Sequence, residues 1–112
     1  MTIDFDKLPE QLMDHFKGGE GTVQTRMYID AMGKIARLTL PAGASIGLHT
    51  HETSAEMIYV LSGSGIVLED NADDPAPMVP GTCHYCPQGH THSLINNGTE
   101  PLVVLAVIPE LG

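Results

Sequence analysis

Two stretches of this sequence place histidines and glycines at spacings that suit a site assembled from several strands. The first contains Gly43, His49, His51, Glu56 and Gly63, and the second contains Gly81, Pro87, Gly89, His92 and Asn96. His49 and His51 are two residues apart, so on a β-strand their side chains point to the same face. Glu56 and His92 each open a later apolar run. A site that uses all three imidazoles and the carboxylate would have to be assembled from separate strands.

Short apolar runs alternate with turn residues along most of the chain. Strands are predicted at 22–29, 34–40, 46–51, 56–62, 65–70, 82–86, 92–96 and 102–108. Gly, Pro, Asn and Asp punctuate the intervals, as expected for tight turns. Short strands with regular punctuation predict an antiparallel sandwich or barrel.

Two segments depart from this strand pattern. Residues 9–17 are predicted to form a short helix, because Pro9 suits a first helical position and Leu8, Leu12 and Phe16 repeat every four residues. Residues 71–77 are polar and contain prolines, which predicts a surface loop between the two histidine-containing stretches. Their acidic side chains could bind a hard cation, but a solvated loop is the favoured interpretation.

Composition restricts the classes of function. A chain of 112 residues is expected to form a single domain spanning 1–112. The formal net charge of −9 disfavours nucleic acids and anionic membrane surfaces as partners. The longest apolar run, residues 102–108, is far shorter than a membrane span, and the acidic N-terminus lacks a signal-peptide pattern. We therefore expect a cytoplasmic protein.

The two histidine-containing stretches, 43–63 and 81–96, resemble the two signature motifs of the cupin superfamily. All five fixed positions of each motif are present at the expected spacing. Thr82 is a small departure, since many members have an acidic residue there, and we expect it to affect a turn only. The resemblance implies an all-β fold, a small double-stranded β-helix or jelly-roll barrel, here with the short N-terminal helix.

The resemblance also implies that His49, His51, Glu56 and His92 are metal ligands. Imidazole and carboxylate together suit divalent Mn, Fe, Ni, Co, Zn or Cu, and the set does not choose among them. Four protein ligands leave two positions on a six-coordinate metal for water, dioxygen or a bidentate substrate. The alternative is that these residues are remnants of the motif in a metal-free binding protein.

Two hypotheses for function follow. The first is a small metal-dependent enzyme, a dioxygenase, isomerase or lyase acting on a small oxygenated or carboxylated metabolite. The second is a non-enzymatic protein that binds or senses a small ligand. His90, two residues before His92, is the candidate catalytic acid or base, with a water-facing histidine at the rim as the alternative.

Two further features bear on assembly and redox chemistry. Both faces of the strand 56–62 are apolar apart from Glu56, so both should be covered, and a homodimer would cover the outer one. Cys83 and Cys86 form a CxxC pattern typical of a redox pair or half of a zinc site. On a strand these two side chains point to opposite faces, about 10 Å apart, which excludes a disulfide.

Overall fold

The computed structural model describes residues 1–70 and 73–112. These residues contain ten strands: β1 (Gln11–Asp14), β2 (Thr22–Asp30), β3 (Gly33–Leu40), β4 (Ser45–Thr50), β5 (Glu56–Ser62), β6 (Gly65–Glu69), β7 (Ala76–Met78), β8 (Cys83–Cys86), β9 (Thr91–Ile95) and β10 (Leu102–Pro109). Two single 3₁₀ turns, Phe5–Lys7 and Phe16–Gly18, complete the regular structure. All eight strands predicted from the sequence are confirmed to within one residue at each end.

The strands form two antiparallel sheets that pack face to face as a jelly roll. One sheet has six strands in the order β1-β2-β3-β10-β5-β8, and the other has four in the order β4-β9-β6-β7. The non-sequential neighbours show that the chain crosses repeatedly between the sheets. This fold confirms the all-β jelly roll implied by the two motifs.

The predicted N-terminal helix at 9–17 is wrong. Residues Gln11–Asp14 instead form β1, which pairs with β2 in register Gln11↔Thr25 to Asp14↔Thr22. The hydroxyl of Thr22 donates to the carboxylate of Asp14 across this pair at 2.6 Å. His15 then adopts a left-handed backbone conformation, so a continuous helix cannot pass through it. The four-residue repeat did not mark a buried face, since Leu12 is 63% exposed.

The predicted surface loop at 71–77 is only partly a loop. Residues 71 and 72 lie outside the described part of the chain. Asp73 and Asp74 are exposed, but Ala76–Met78 form the edge strand β7, which pairs with β6. Met78 points into the core at 3% exposure, while Pro77 faces outwards at a sheet edge, where its missing N–H is tolerated.

The core lies between the two sheets and consists of inward-facing aliphatic side chains. Its members are Val23, Ala36, Leu38, Leu40, Ala44, Ile46, Ile58, Val60, Val67, Met78, Leu94, Leu102, Val104 and Ala106. Strand alternation explains the selection on β5, where Ile58 and Val60 point inwards. Glu56 belongs to the same face, so the core strand itself delivers this carboxylate to the interior.

Glycine allows the second 3₁₀ turn to lie directly on β4. A Cβ added at Gly47 would overlap the carbonyl oxygen of Lys17, and one added at Gly19 would overlap that of Ser45. The backbone N–H of Ser45 donates to the carbonyl of Glu20, and the side-chain hydroxyl of Ser45 accepts from the N–H of Glu20. This contact fixes the start of the strand that contains His49.

Candidate metal centre

A β-bulge turns His49 towards the interior. The register of β4 against β9 shifts between Ile46 and His49, so two residues of β4 lie opposite a single residue of β9. As a result, Ile46 and His49 both line the interior cavity, while Leu48 is 55% exposed. His92 lies directly opposite His49 on β9. The bulge therefore determines that these two imidazoles face each other.

The four predicted ligands converge on one point. The Nε2 atom of His92 lies 2.8 Å from Oε1 of Glu56, 2.9 Å from Nε2 of His51 and 3.2 Å from Nε2 of His49. Nε2 of His51 is also 3.0 Å from the Glu56 oxygen. One ligand atom from each residue falls within 4.8 Å of all the others. The predicted cluster is confirmed as a group placed to bind a metal.

These distances suit a shared metal ion better than hydrogen bonds alone. An imidazole Nε2 has either one hydrogen or one lone pair, so His92 cannot bond to three partners at once. Two ligand atoms at right angles on an ion, each about 2.0–2.2 Å from it, would lie about 2.8–3.1 Å apart. The separations among Glu56, His51 and His92 fall in that range. The residues present therefore fit a divalent transition metal.

A contact to each Nδ1 atom fixes the orientation of all three histidines. Nδ1 of His49 lies 2.7 Å from the carbonyl oxygen of Gly47, and Nδ1 of His51 lies 2.8 Å from the hydroxyl of Ser54. Nδ1 of His92 lies 2.9 Å from Nε2 of His84. Partners of this kind select the tautomer that leaves Nε2 free for a metal.

The contact to His92 continues to a carboxylate. Nδ1 of His84 lies 3.2 Å from Oε1 of Glu69 on β6. One hydrogen-bond pattern satisfies every nitrogen: His84 donates to Glu69 and accepts from Nδ1 of His92, whose Nε2 then has a lone pair for a metal. Burial holds the pKa of His84 below its usual value, which is consistent with a neutral ring that accepts from His92.

The electrostatics of the cluster favour an ionised carboxylate beside a neutral imidazole. Burial opposes ionisation of Glu56, but hydrogen bonds with His51 and His92 outweigh it and bring its pKa to about 2. Burial also lowers the pKa of His49 against the opposing effect of the Gly47 carbonyl. Glu56 is 4% exposed and His92 is 2% exposed, so water screens the cluster weakly.

The predicted ligands lie beside a cavity of about 330 Å³. His49, His51 and Glu56 line it, so a metal held there would be accessible from inside the cavity. Lys17 and Lys34 also line it, and both are exposed. Within residues 1–70 and 73–112, the other three cationic side chains, Lys7, Arg26 and Arg37, form ion pairs with acidic residues, whereas these two form none.

His90 lies apart from this cavity. Its side chain is 53% exposed, and Nδ1 lies 3.2 Å from the carboxylate of Asp70. Its backbone carbonyl accepts from the N–H of His51, so its backbone helps to hold a ligand in place. The catalytic role predicted for the His90 side chain stays a prediction.

The structure adds four positions to the site that the sequence did not indicate: Gly47, Ser54, Glu69 and His84. Strand alternation gave a partial signal for His84, since it shares a face of β8 with the buried Cys86. Cys83 and Cys86 are both free and lie on opposite faces, as predicted. Burial raises the pKa of the Cys86 thiol to about 11, so it stays protonated and is a poor metal ligand.

A small jelly roll with three histidines and one glutamate converging in its interior defines a class of metal-binding proteins. Residues 36–108 match the family model for the cupin domain, and the chain belongs to this family. Within the described residues no helix is long and apolar enough to cross a membrane.

Comparisons with known proteins illustrate the relationship. The chain is 34% identical over 114 residues to an oxalate-binding protein from Thermotoga maritima, covering 96% of this chain and 93% of that protein. A crystal structure of a predicted oxalate decarboxylase from Thermotoga maritima superimposes with a TM-score of 0.91 at 29% identity, covering 99% of this chain and all of that one. A sugar phosphate isomerase of the cupin superfamily from Silicibacter pomeroyi shares the fold, with a TM-score of 0.78 at 20% identity over 98% of this chain and 75% of that one.

Proposed function

We propose that this cupin is a metal-dependent enzyme that acts on a small carboxylated metabolite as a dioxygenase, isomerase or lyase. The observation that carries the proposal is the convergence of His49, His51, Glu56 and His92 beside a 330 Å³ cavity that the first three of them line. The similarity to an oxalate-binding protein supports a carboxylate as the ligand.

The charge of the cavity supports the same ligand class. Three neutral imidazoles and one carboxylate contribute a charge of −1, so a bound divalent cation leaves a net positive centre. Among the other lining residues, the charges of Lys17 and Lys34 are balanced by those of Glu52 and Glu110, so the net positive charge would come from the metal centre. An anionic group directed at the ligand cluster is therefore favoured in a chain that is acidic elsewhere.

The groups of the site would have different chemical roles. A divalent ion would polarise a bound oxygen, lower the pKa of bound water or orient a substrate. Gly47, Ser54 and His84 hold the three imidazoles in place, and the low pKa of Glu56 keeps that side chain anionic.

The second candidate is a non-enzymatic binding protein. It is favoured by the position of His90, which pairs with Asp70 and does not line the cavity. The similarity to a protein named for oxalate binding supports this candidate equally.

The first experiment is elemental analysis of protein purified without added metal, followed by a thermal-shift screen of small carboxylic acids. We expect about one transition-metal ion per chain and stabilisation by acids only when the metal is present. Mass spectrometry of each stabilising acid after incubation, with and without dioxygen, then separates turnover from binding. Protein that contains no metal and gains no stability from added Mn, Fe, Co, Ni, Cu or Zn would reject the metal centre.

We further propose that the protein is a homodimer, paired through the outer face of the six-stranded sheet. Tyr59, Leu61 and Tyr85 are 42%, 48% and 57% exposed on that face. Leu105 lies beside Tyr59, and Met57 lies between Val107 and Tyr85, so the apolar side chains form one continuous surface. A cytoplasmic location and the absence of nucleic-acid and membrane partners stay predictions.

A further inference from the structure

The cavity has two chemically different ends. Polar and charged groups surround the predicted metal ligands. The other end has one charged member, Lys34, which lies opposite Ile108, and is otherwise lined by aliphatic side chains. These are Met27, Ala36, Leu38, Ala106 and Ile108, from β2, β3 and β10. Neighbouring strands lie about 4.8 Å apart, and three strand intervals separate β2 from the strand that contains Glu56. The apolar wall is therefore too long for a two-carbon acid bound at the metal ligands to cover.

Small side chains create the space at this end. Ala106 pairs directly with Ala36 on one side and with Ile58 on the other. The next inward-facing residues along these three strands are Leu38, Val104 and Val60, and Val104 pairs with both of the others. These larger side chains fill the space and belong to the packed core. The paired alanines thus mark where the packed core ends and the cavity begins.

The cavity volume matches this division. A volume of 330 Å³ lies at the lower end of the roughly 300–1,000 Å³ typical of small-molecule sites. Oxalate has no hydrocarbon to place against the apolar end, and a sugar phosphate would desolvate most of its hydroxyls there against aliphatic side chains, with Lys34 as the charged partner. A ligand with an oxygen-rich head and a hydrocarbon body would satisfy both ends.

We propose that the ligand is a 2-oxo or 2-hydroxy monocarboxylic acid with an aliphatic or aromatic body of about three to six carbons. The carboxylate and the neighbouring oxygen face the His49, His51, Glu56 and His92 cluster, and the body lies on the Ala36–Ala106 floor between Met27 and Ile108. This inference rests on the proposed metal-dependent function and deepens it.

The test is a series of 2-oxo acids with one head group and a growing body: pyruvate, 2-oxobutanoate, 2-oxopentanoate and 4-methyl-2-oxopentanoate. Dissociation constants are measured by calorimetry on the full-length, metal-loaded protein. Burial of each added methylene should tighten binding about fourfold, so 4-methyl-2-oxopentanoate should bind at least tenfold more tightly than pyruvate. The methyl ketone 4-methylpentan-2-one, which lacks the carboxylate, should bind at least tenfold more weakly than the matching acid.

Two variants locate the body within the cavity. Ile108→Thr replaces an apolar lining group by a smaller one that carries a hydroxyl, and should reduce the tightening per methylene to less than twofold. Ala106→Val fills the floor and should have the same effect by occupying the space. Val107→Thr makes the corresponding polar change on the opposite face of β10, and should preserve the gradient. Metal content and thermal unfolding of each variant verify that the site and the fold are intact.

The outcomes separate this inference from the function on which it rests. Affinities that are equal along the series in metal-loaded protein would overturn the hydrocarbon-body proposal and leave the metal centre standing. Protein that takes up no metal would overturn the proposed function. A gradient that persists unchanged in both Ile108→Thr and Ala106→Val would overturn the assignment of the body to this cavity wall.

Discussion

Nε2 of His84 lies 2.9 Å from Nδ1 of His92, and this contact joins a predicted metal ligand on β9 to a carboxylate on β6 through one intervening imidazole. Both rings are buried, and their planes are 28° apart with centroids separated by 5.2 Å. The geometry fixes the ring plane of His92 and the nitrogen that faces the cluster. His84 therefore positions the ring of His92 for the proposed metal, although it is not one of the ligand positions of the two sequence motifs.

Replacing His84 should weaken metal binding without removing a ligand. We expect His84→Ala to lower metal affinity by about tenfold, in the range found for lost partners of metal-bound histidines. His84→Gln retains an oxygen acceptor near Nδ1 of His92 and should recover part of the loss. Glu69→Gln should have a smaller effect, because Glu69 is 56% exposed. Competition with a chromogenic chelator measures all three affinities.

Tyr85→Phe is the matched control, since Tyr85 is the next residue on β8 and faces outwards. Its metal affinity should equal that of the unmodified protein. Unchanged affinity in His84→Ala would show that the contact to His92 has no influence on the site.

The two histidines that flank Thr91 should separate metal binding from any catalytic role. His92→Ala removes a ligand and should abolish most of the stabilisation that metal provides, because binding stabilises the folded state in proportion to affinity. His90→Ala should retain the metal, since its side chain pairs with Asp70 and is half exposed. If the protein is an enzyme that uses His90, this variant should also lose turnover.

The measurement is the melting temperature of each protein with and without chelator. The metal-free forms of His90→Ala and the unmodified protein should melt together within about 2 °C, the size of a surface substitution's effect. An unchanged chelator effect in His92→Ala would place the stabilising metal elsewhere.

Much of the fold could be predicted because periodicity and punctuation are local signals. The strands from 22 to 70 and from 82 to 108 each combine alternating apolar residues with a flanking turn residue. The two missed strands are edge strands whose existence depends on a partner. β1 forms because β2 offers it hydrogen bonds, and β7 forms because β6 does, in spite of Pro77. Local propensity does not contain that information.

The same distinction applies to the site. The four ligands were predictable because their spacing is a property of the chain itself. The His84 contact depends on the pairing of β8 with β5, which places His84 opposite Ile58 on the inner face. The Gly47 contact depends on a bulge, which shifts the facing of every later residue in β4. Register between distant strands is a tertiary property, and the sequence pattern left it open.

Assembly can be tested at the outer face of the six-stranded sheet. A homodimer paired through Tyr59, Leu61 and Leu105 should dissociate when a charge is buried there, so Tyr59→Glu should convert it to a monomer. Leu12→Glu, at the opposite edge of the same sheet, is the control and should remain dimeric. Sedimentation at micromolar concentration measures both. A stable monomer of the unmodified protein would contradict the proposed pairing.

The stability of the protein should fall as pH decreases below about 6.5, with metal and without it. In the metal-free protein, burial holds the pKa values of His49 and His84 below 6.5. In the window between 6.5 and those lowered values, the unfolded chain binds more protons than the folded chain, so protons favour unfolding. The low pKa of Glu56 adds a second loss between about 4.5 and about 2.

Bound metal should make the loss of stability below about pH 6.5 steeper, because the three imidazoles must be unprotonated at Nε2 to bind it. The melting temperature with chelator should decline from pH 6.5 downwards, and the additional stabilisation by metal should shrink as pH falls from 7 towards 5. Scanning calorimetry from pH 5 to pH 8, with and without chelator, measures the melting temperature of the metal-free protein and the additional stabilisation by metal. A metal-dependent increment that stays constant across this range would show that protonation of the imidazoles does not compete with the ion, and would contradict a site built from His49, His51 and His92.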